Sequence, residues 1–441
     1  MKKNKIGILL LSAAVGLASL AGCGSRAAET NTVNADNAGT EEAAEGVPAS
    51  ADDGSIQDED GVIKVGVLED RSGECALLGV QKVHAYELAA KEINESGGIG
   101  GKQIELVEVD PATDNTKYQE LAKQLILEEN VDVIMGCITS ASREAVRPIV
   151  EENGSLLFYN QQYEGGVASH NVFCTGLVPE HQVIPLVKGM LEEYGSKMYI
   201  VAADYNFGQI TSQWMVKEVE ANGGEIVGQE FIPMGNTQFS SVISNIQQAK
   251  PDILCVLAAG ASQTAFFEQW STSGIEGLPM CTTVNIAQMY EHKQFAPPAL
   301  ANMHVCANYV EELQTEDAKA FTDKMYAMFP DDAYFGMEAA AAYEGLYLWK
   351  AAVELAGTTE KEAVIAALES GITLEHMPSG TVTLNGDTHH CTKDIWLIRC
   401  DEKHELHFDR EFEQVVPDWL SKERGIDLKT EAPNEQYTPL D

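Results

Sequence analysis

The strongest constraint on the fold is a regular alternation of apolar, strand-like runs with helical stretches, which begins at Gly61. Val62–Leu68 and Gln103–Val109 are strand-like, and 81–94 between them is helical in character. Strands that alternate with helices form a parallel sheet covered by helices on both faces, so the pattern predicts an α/β fold. The first series continues with a helix at 118–129, a strand at 131–135, a helix at 143–152 and a strand at 155–159.

A second series of the same kind follows. Its strands are predicted at 198–203, 225–231, 253–258 and 278–283, with helices at 211–221 and 241–248. The chain has 441 residues, of which 44% are hydrophobic, and this is enough for two lobes with separate cores. The sequence therefore predicts two similar lobes, each a mostly parallel sheet flanked by helices.

The N-terminus has the pattern of an export signal. Lysines at positions 2, 3 and 5 precede an apolar run at 6–20, which is shorter than the roughly 20 residues of a membrane span. The run ends in Leu20-Ala21-Gly22-Cys23, which resembles the lipobox of bacterial lipoproteins. We therefore expect a lipoprotein signal segment at 1–23, a lipid anchor on Cys23 and a location on the extracytoplasmic face of the cell membrane. The alternative is an ordinary secretory signal with an incidental cysteine.

Residues 24–60 are rich in Ala, Asn, Thr, Gly and acidic side chains and have few large apolar ones. Such a segment cannot offset its ordering entropy by burial, so we predict a disordered acidic linker. The whole chain carries a formal charge of −39. A surface this negative repels phosphate backbones, which argues against a nucleic-acid partner.

Loops after strands are the expected ligand-binding segments, because ligands of open α/β sheets bind outside the carboxyl ends of the strands. The loop after the third strand carries hydroxyls at Thr139, Ser140 and Ser142 and opens a helix, whose free N–H groups can receive a ligand oxygen. The alternative is that Ser140 or Ser142 only caps this helix. Both can hold, since one serine can cap while another binds.

Three further loops of this kind are candidates. Residues 159–165 form an aromatic and amide cluster after the fourth strand. In the second series, Phe207 lies in a loop at 204–209, and Thr283 lies in a loop at 282–285. By contrast, the glycines at 97–101 follow a helix and precede a strand, so they are interpreted as a helix-to-strand turn and not as a phosphate loop.

Several motifs, in order along residues 62 to about 418, resemble the type I periplasmic binding proteins of ABC importers. Within that group they are most similar to the branch that binds urea and short-chain amides. The motifs are Asp110-Pro111-Ala112-Thr113-Asp114, Gly136-Cys137-x-x-Ser140-x-x-Arg143, Leu156-Leu157-Phe158-Tyr159 leading to Gln162-Tyr163-Glu164-Gly165, Asn171-Val172-Phe173-Cys174-Thr175-Gly176, Asp204-Tyr205 and His389-His390.

The resemblance implies a two-lobed fold with three hinge crossovers, near 176–179, 306–309 and 377–385. It divides the chain into a first lobe of 61–178 plus 309–376 and a second lobe of 179–308 plus 377–441. It implies a small solute as ligand, an ABC permease and its ATPase as partners, hinge closure as mechanism and no cofactor. The residues that it places in the cleft are Ile138, Ser140, Tyr159, Gln161 and Tyr205.

One departure leaves the solute open. Urea and amide binders usually have Tyr-Pro-Arg or Phe-Pro-Arg after the Asp-Tyr motif, whereas this chain has Phe207-Gly208-Gln209, which is closer to binders of branched-chain amino acids. A buried ammonium needs a carboxylate partner, and the strand-end loops at 281–285 and 258–262 contain none. This favours a neutral amide, although Glu69 and Asp70 are alternative sources of charge. A receptor that senses its ligand without transport is the other alternative.

Catalytic and metal-binding patterns are weak. The ten histidines are scattered, no CxxC pair occurs, and Cys137 has no histidine near it in sequence. His389 and His390 are interpreted as turn residues, not metal ligands. A disulfide between Cys391 and Cys400 across a hairpin is left open by the sequence. We therefore expect a binding protein without a metal site, not an enzyme.

Overall fold

A computed structural model describes residues 61–284 and 290–440. The predicted signal segment and linker, with Cys23, and Asn285 of the last candidate loop lie outside these ranges. The first elements are β1 (Val62–Leu68), α1 (Ala76–Glu95), β2 (Gln103–Val109), α2 (Asn115–Leu127), β3 (Val133–Gly136), α3 (Ser140–Glu152), β4 (Leu157–Tyr159), β5 (Val167–Ser169) and β6 (Val172–Cys174).

Five of these strands form a parallel half-sheet in the order β2-β1-β3-β4-β6. Val65 and Val67 of β1 are completely buried, as expected for a strand covered by helices on both faces. We call this half-sheet and the helices that pack on it the first lobe.

The second group of elements repeats this arrangement. It comprises α4 (Pro179–Gln182), α5 (Ile184–Tyr194), β7 (Lys197–Ala203), α6 (Asn206–Ala221), β8 (Glu225–Ile232), α7 (Ser240–Ala249), β9 (Ile253–Leu257), α8 (Gly260–Ser271), β10 (Met280–Thr282), α9 (Glu291–Gln294) and β11 (Met303–Ala307). The strands are parallel in the order β8-β7-β9-β10-β11, which winds as the first half-sheet does, and we call this part the second lobe. The prediction of a two-lobed α/β fold is confirmed.

The last part of the chain returns to the first lobe, where its first two helices pack on α1. It comprises α10 (Glu316–Met328), α11 (Met337–Ala356), α12 (Lys361–Glu369), β12 (Thr373–Met377), β13 (Gly380–Asn385), β14 (His390–Cys400), β15 (Leu406–Val415), α13 (Trp419–Arg424) and β16 (Asn434–Gln436).

Strand β14 joins the two half-sheets. Its first residue, His390, pairs with Cys174 of β6, and its end pairs antiparallel with β11. The third crossover therefore lies within β14, and its placement at 377–385 was wrong, because the β12–β13 hairpin bonds to the first-lobe end of β14 and packs with α11 and α12. Cys391 and Cys400 lie near opposite ends of this one strand with free thiols, so no hairpin disulfide joins them.

The C-terminal segment also departs from the predicted division. Strand β16 pairs antiparallel with β5, so residues 434–436 lie on the first lobe although 377–441 had been assigned to the second. Backbone pairing between segments this far apart leaves no local sequence pattern. The boundaries at 178 and 308 stay predictions.

The glycines between α1 and β2 form the predicted turn. Gly98 has φ +81°, and a Cβ atom there would lie 2.0 Å from the carbonyl oxygen of Lys102. Only glycine fits this position. In the part of the chain that the structure describes, no helix has both the length and the apolar character of a membrane span.

Candidate functional site

A cleft of about 590 Å³, partly open to solvent, lies between loops at the carboxyl ends of the two half-sheets. In each half-sheet the winding reverses beside one strand, between β1 and β3 and between β7 and β9. Ligands of open α/β sheets bind at this reversal. The lining residues come from both lobes: Glu74, Cys75, Leu77, Leu78, Ile138, Thr139, Ser140, Gln161, Gln162, Tyr205, Phe207, Met234, Ala259, Gly260, Gln263 and Val284.

A larger groove of about 1260 Å³ lies on the second lobe. Leu278 and Asn302, which line it, precede β10 and β11, so the groove lies at the amino ends of these strands. Because loops at carboxyl ends carry the ligand sites of this architecture, the cleft between the lobes is the candidate site.

At the start of α3, the predicted residues Ile138, Thr139 and Ser140 line one wall of the cleft. Thr139 is the N-cap, and its Oγ1 accepts a hydrogen bond from the Ser142 N–H at 3.0 Å. The Ser142 hydroxyl donates back to the Thr139 carbonyl at 2.8 Å. The alternative that Ser140 or Ser142 caps the helix was therefore wrong, because the residue before Ser140 performs this function.

The Ser140 hydroxyl donates to the Glu164 carboxylate at 2.5 Å. Glu164 also accepts from the Arg143 guanidinium at 3.0 Å, and both of these side chains are completely buried. Since a carboxylate only accepts hydrogen bonds, the Ser140 proton is committed to Glu164. The oxygen of Ser140 is left to accept a hydrogen bond from a ligand in the cleft.

Glutamine side chains supply further acceptors. The Gln263 amide donates through Nε2 to Glu291 at 2.5 Å, and its Oε1 is buried without a partner. The Oε1 atoms of Gln161 and Gln162 are likewise buried and unpaired within the described protein. Buried polar atoms are nearly always hydrogen-bonded, so these three oxygens call for donors from a bound molecule or water.

Within the described residues, the cleft lining contains no lysine, arginine or histidine, and its one charged side chain is the exposed Glu74. The two alternative acids are engaged elsewhere. Glu69 pairs with Lys82 at 2.6 Å, and burial raises the pKa of Glu69 to about 8 against the attraction of this lysine. Asp70 accepts from the backbone N–H and the hydroxyl of Thr113, at 2.7 Å and 2.9 Å.

Two of the predicted site residues lie behind the cleft surface and not on it. Tyr159 donates its hydroxyl to the carbonyl of Ile138 at 2.9 Å, and so supports a lining residue. Thr283 is buried, its carbonyl accepts from Gln182 at 2.8 Å, and its neighbour Val284 lines the cleft instead. The other predicted residues that line the cleft are Ile138, Thr139, Ser140, Gln161, Tyr205 and Phe207.

Tyr205 belongs to the second lobe and approaches the first. Burial raises the pKa of its hydroxyl above the ordinary value, and Cys75 and Glu164 of the first lobe add to this effect. The lining residues that sequence reasoning missed, such as Leu78 and Gln263, belong to the segments after β1 and β9. The same strand-end rule therefore contained the signal, but their residue types are ordinary for helices.

Cys75 lines the cleft, and burial raises the pKa of its thiol to about 12. The Cys137 thiol, the His389 ring and the candidate metal ligands lie away from the cleft lining. Burial raises the pKa of the Cys137 thiol, which disfavours the reactive thiolate. The His389 ring stacks on Phe173, with centroids 4.0 Å apart, in the turn before β14. Among residues 61–284 and 290–440, one group could share a metal ion, and it is Asp401, Glu405 and His407 in the β14–β15 turn.

A sequence profile of the family described as periplasmic binding protein matches residues 62–405. Among curated proteins, the chain is 22% identical over 343 residues to Leu/Ile/Val-binding protein homolog 6 of Brucella melitensis, covering 76% of this chain and 87% of that protein. It is 26% identical over 244 residues to Leu/Ile/Val-binding protein homolog 7 of Brucella suis, covering 52% and 57%.

Solved structures show the same fold. A solute-binding protein of an ABC transporter from R. palustris, in complex with 4-hydroxybenzoate, superposes with a TM-score of 0.73 at 22% identity, covering 82% of this chain and all of that one. The branched-chain amino acid transporter substrate binding protein LivJ from Streptococcus pneumoniae, in complex with isoleucine, gives 0.68 at 20% identity, covering 80% and 99%.

Proposed function

The chain belongs to the periplasmic binding protein family, and from this premise we propose that it captures a small neutral amide for an ABC importer. In this proposal the solute binds between the lobes, and the permease and its ATPase receive it from the closed form. The urea and short-chain-amide preference is the finer part of the proposal.

The observation that carries the preference is the hydrogen-bond polarity of the cleft. Ser140 presents an acceptor because its proton is given to Glu164, and Gln263 presents an acceptor because its Nε2 is given to Glu291. Gln161 adds a third unpaired oxygen. A primary amide or urea brings N–H groups that satisfy such acceptors, and it carries no net charge that would need an ionic partner.

The rest of the lining supports a ligand with a small apolar part. Leu78, Ile138, Phe207, Met234 and Val284 contribute apolar surface from both lobes. Contact with an aliphatic group contributes about 25 cal/mol for each Å² of apolar surface buried. A short-chain aliphatic amide therefore matches both the acceptors and the apolar wall.

A branched-chain amino acid is the second candidate. The named Brucella relatives are homologues of Leu/Ile/Val-binding proteins, and the apolar wall also suits an aliphatic side chain. The backbone N–H groups at the start of α3 would face the carboxylate, and Glu74 is the lining acid available to an ammonium. A ligand sensor that does not deliver its solute would use the same cleft.

Closure between the lobes is the proposed mechanism. Tyr205 and Phe207 of the second lobe share the cleft with Ile138 and Ser140 of the first, so a ligand gains its full set of contacts only when the lobes approach. A ligand shifts a conformational equilibrium by its difference in affinity for the two forms. The solute would therefore stabilise the closed form.

A thermal-shift and calorimetric screen tests the proposed ligand class. Acetamide or urea at 100 times its dissociation constant is expected to add about 2.7 kcal/mol to the free energy of unfolding. N,N-dimethylacetamide is the matched control, because it keeps the carbonyl but has no N–H to give to Ser140 or Gln263, and it should not stabilise. Stabilisation by leucine or valine, with no effect of either amide, would replace the amide by the amino acid.

We also propose that Cys23, outside the described residues, carries a lipid that anchors the protein to the membrane. Cys23→Ala is expected to leave an uncleaved precursor or to release protein without lipid, because the thiol is the acylated group. Membrane fractionation and intact mass measure this, with Ser25→Ala as the matched control. An unchanged mass and membrane fraction in Cys23→Ala would exclude the anchor.

A further inference from the structure

The C-terminal strap, defined as residues 425–440, follows a helix that is fixed to the second lobe. Trp419 of α13 packs edge to face on Trp214 of α6, with ring centroids 5.0 Å apart. Lys217 of α6 pairs with Glu423 of α13 at 2.8 Å. The strap therefore starts from the second lobe, immediately after α13.

The other end of the strap is fixed to the first lobe. Strand β16 pairs with β5, and beyond it the Tyr437 N–H donates to the Gly166 carbonyl at 2.8 Å. Gly166 has φ +84°, and a Cβ atom there would lie 1.9 Å from the Tyr437 carbonyl oxygen. This contact is closer than any side chain at position 166 would permit, so the strap is fitted to its groove by a glycine.

One side chain of the strap reaches the buried ion pair behind the cleft. The Gln436 Nε2 donates to the Glu164 carboxylate at 2.5 Å and to the Gly165 carbonyl at 3.0 Å. Its Oε1 accepts from the Arg143 guanidinium at 3.1 Å. An amide suits this place because it offers a donor to the carboxylate and an acceptor to the guanidinium at once.

Glu164 is therefore held from both sides. One carboxylate oxygen accepts from Arg143 and Gln436, and the other accepts from Ser140 at the cleft surface. We propose that Gln436 is a positioning residue of the ligand site, which fixes Glu164 and thereby the orientation of the Ser140 hydroxyl. The proposal rests on the ligand site proposed above, and it makes strap docking and ligand binding interdependent.

Gln436 thus acts on Ser140 through Glu164, and we call this coupling the relay. A double-mutant cycle tests it, with acetamide as the probe and calorimetry as the readout. Gln436→Leu removes all three amide contacts at similar volume, and Glu435→Gln is the matched control, an exposed neighbour on the same strand. Removing one partner of a buried polar group costs roughly 1–3 kcal/mol, or about 5- to 150-fold in affinity. Gln436→Leu and Ser140→Ala are each expected to weaken binding in this range.

The relay further predicts that the two effects do not add. In the Ser140→Ala protein, Gln436→Leu should change the affinity by less than about twofold, because the group that it positions is already absent. Unchanged affinity in Gln436→Leu, or effects that multiply in the double variant, would overturn the proposal. If leucine binds and acetamide does not, leucine becomes the probe of the same cycle.

A readout without ligand separates failure of the relay from failure of the proposed function. If no amide or amino acid binds the unmodified protein, the proposed function fails, and hydrogen exchange decides on the strap. The Ser142 and Arg143 amides, both bonded to Thr139, are expected to exchange at least about fivefold faster in Gln436→Leu and at the original rate in Glu435→Gln. Equal exchange rates in all three proteins would overturn the relay.

Discussion

At pH 7, Arg143→Met is expected to lower the free energy of unfolding by about 3–5 kcal/mol. Arg143 and Glu164 are both completely buried, so methionine would leave the carboxylate without its cationic partner in the protein interior. The guanidinium also lies over the rings of Tyr159 and Tyr163, 5.0 Å and 4.5 Å from their centroids. Guanidinium chloride denaturation monitored by circular dichroism measures the loss.

Arg399→Met is the matched control for this prediction. Arg399 pairs with Asp409 at 2.8 Å, but both side chains are substantially exposed, at 28% and 37%. Pairs of this kind contribute only about 0–1 kcal/mol.

In the double variant Arg143→Met, Glu164→Gln, part of the stability should return, because no buried charge is left alone. Equal losses for Arg143→Met and Arg399→Met would contradict the assignment of Arg143 and Glu164 as a critical buried pair.

Acid sensitivity from His181 is the second large effect. His181 is completely buried in α4, where its Nδ1 accepts from the Val178 N–H and its Nε2 donates to the Val415 carbonyl, both at 3.1 Å. Burial, with the nearby Lys393 and His390, lowers the pKa of His181 to about 3 from 6.5. The neutral ring therefore fits the hydrogen bonds that hold it.

The direction in which stability changes with pH follows from proton binding. Between pH 6.5 and about 3 the unfolded chain takes up a proton at His181 and the folded chain does not. The stabilisation of the folded protein by the neutral His181 is fully present above pH 6.5. It is lost as the pH falls, by up to about 1.4 kcal/mol per pH unit. Equilibrium unfolding at a series of pH values is the measurement.

His181→Asn removes the titrating group. The free energy of unfolding of this variant should therefore fall less steeply than that of the wild type as the pH drops below 6.5, whatever its value at neutral pH. His376→Asn is the control, because His376 is 82% exposed and its left-handed backbone (φ +60°) suits asparagine. This control should keep the wild-type slope. Parallel pH profiles for wild type and His181→Asn would contradict the prediction.

Local periodicity was sufficient for the repeated part of the fold. The bounds of β1 and β2 agree with the sequence pattern, because buried strands and helices leave short-range signals of their own. Strands β13 and β16 lie in the range assigned to the second lobe, but they join the first lobe. The pairings that place them there, of β14 with β6 and of β16 with β5, connect segments that are far apart in the sequence. Which sheet an edge strand joins is decided by tertiary contacts.

The residues of the cleft, too, could be predicted only in part from the sequence. The strand-end rule brought Ser140, Gln161 and Tyr205 to one surface, because all parallel strands present their carboxyl ends to the same edge. It did not distinguish Thr283, which is buried and does not line the cleft, from Val284 beside it, which does. Nor did it indicate that Gln436 reaches Glu164, which needs the folded C-terminal segment.

If the two lobes move relative to each other, strand β14 determines how far the different parts of each lobe are displaced. It is hydrogen-bonded to β6 and β13 at one end and to β11 and β15 at the other, so sliding one half-sheet along the other would break these ladders. A twist about the strand keeps them, and in a twist displacement grows with distance from the axis. If the lobes close by such a twist, spin labels far from β14 would therefore move more than labels on its neighbours β6 and β11. A spectroscopic study that chose only sites near the axis would record a rigid protein.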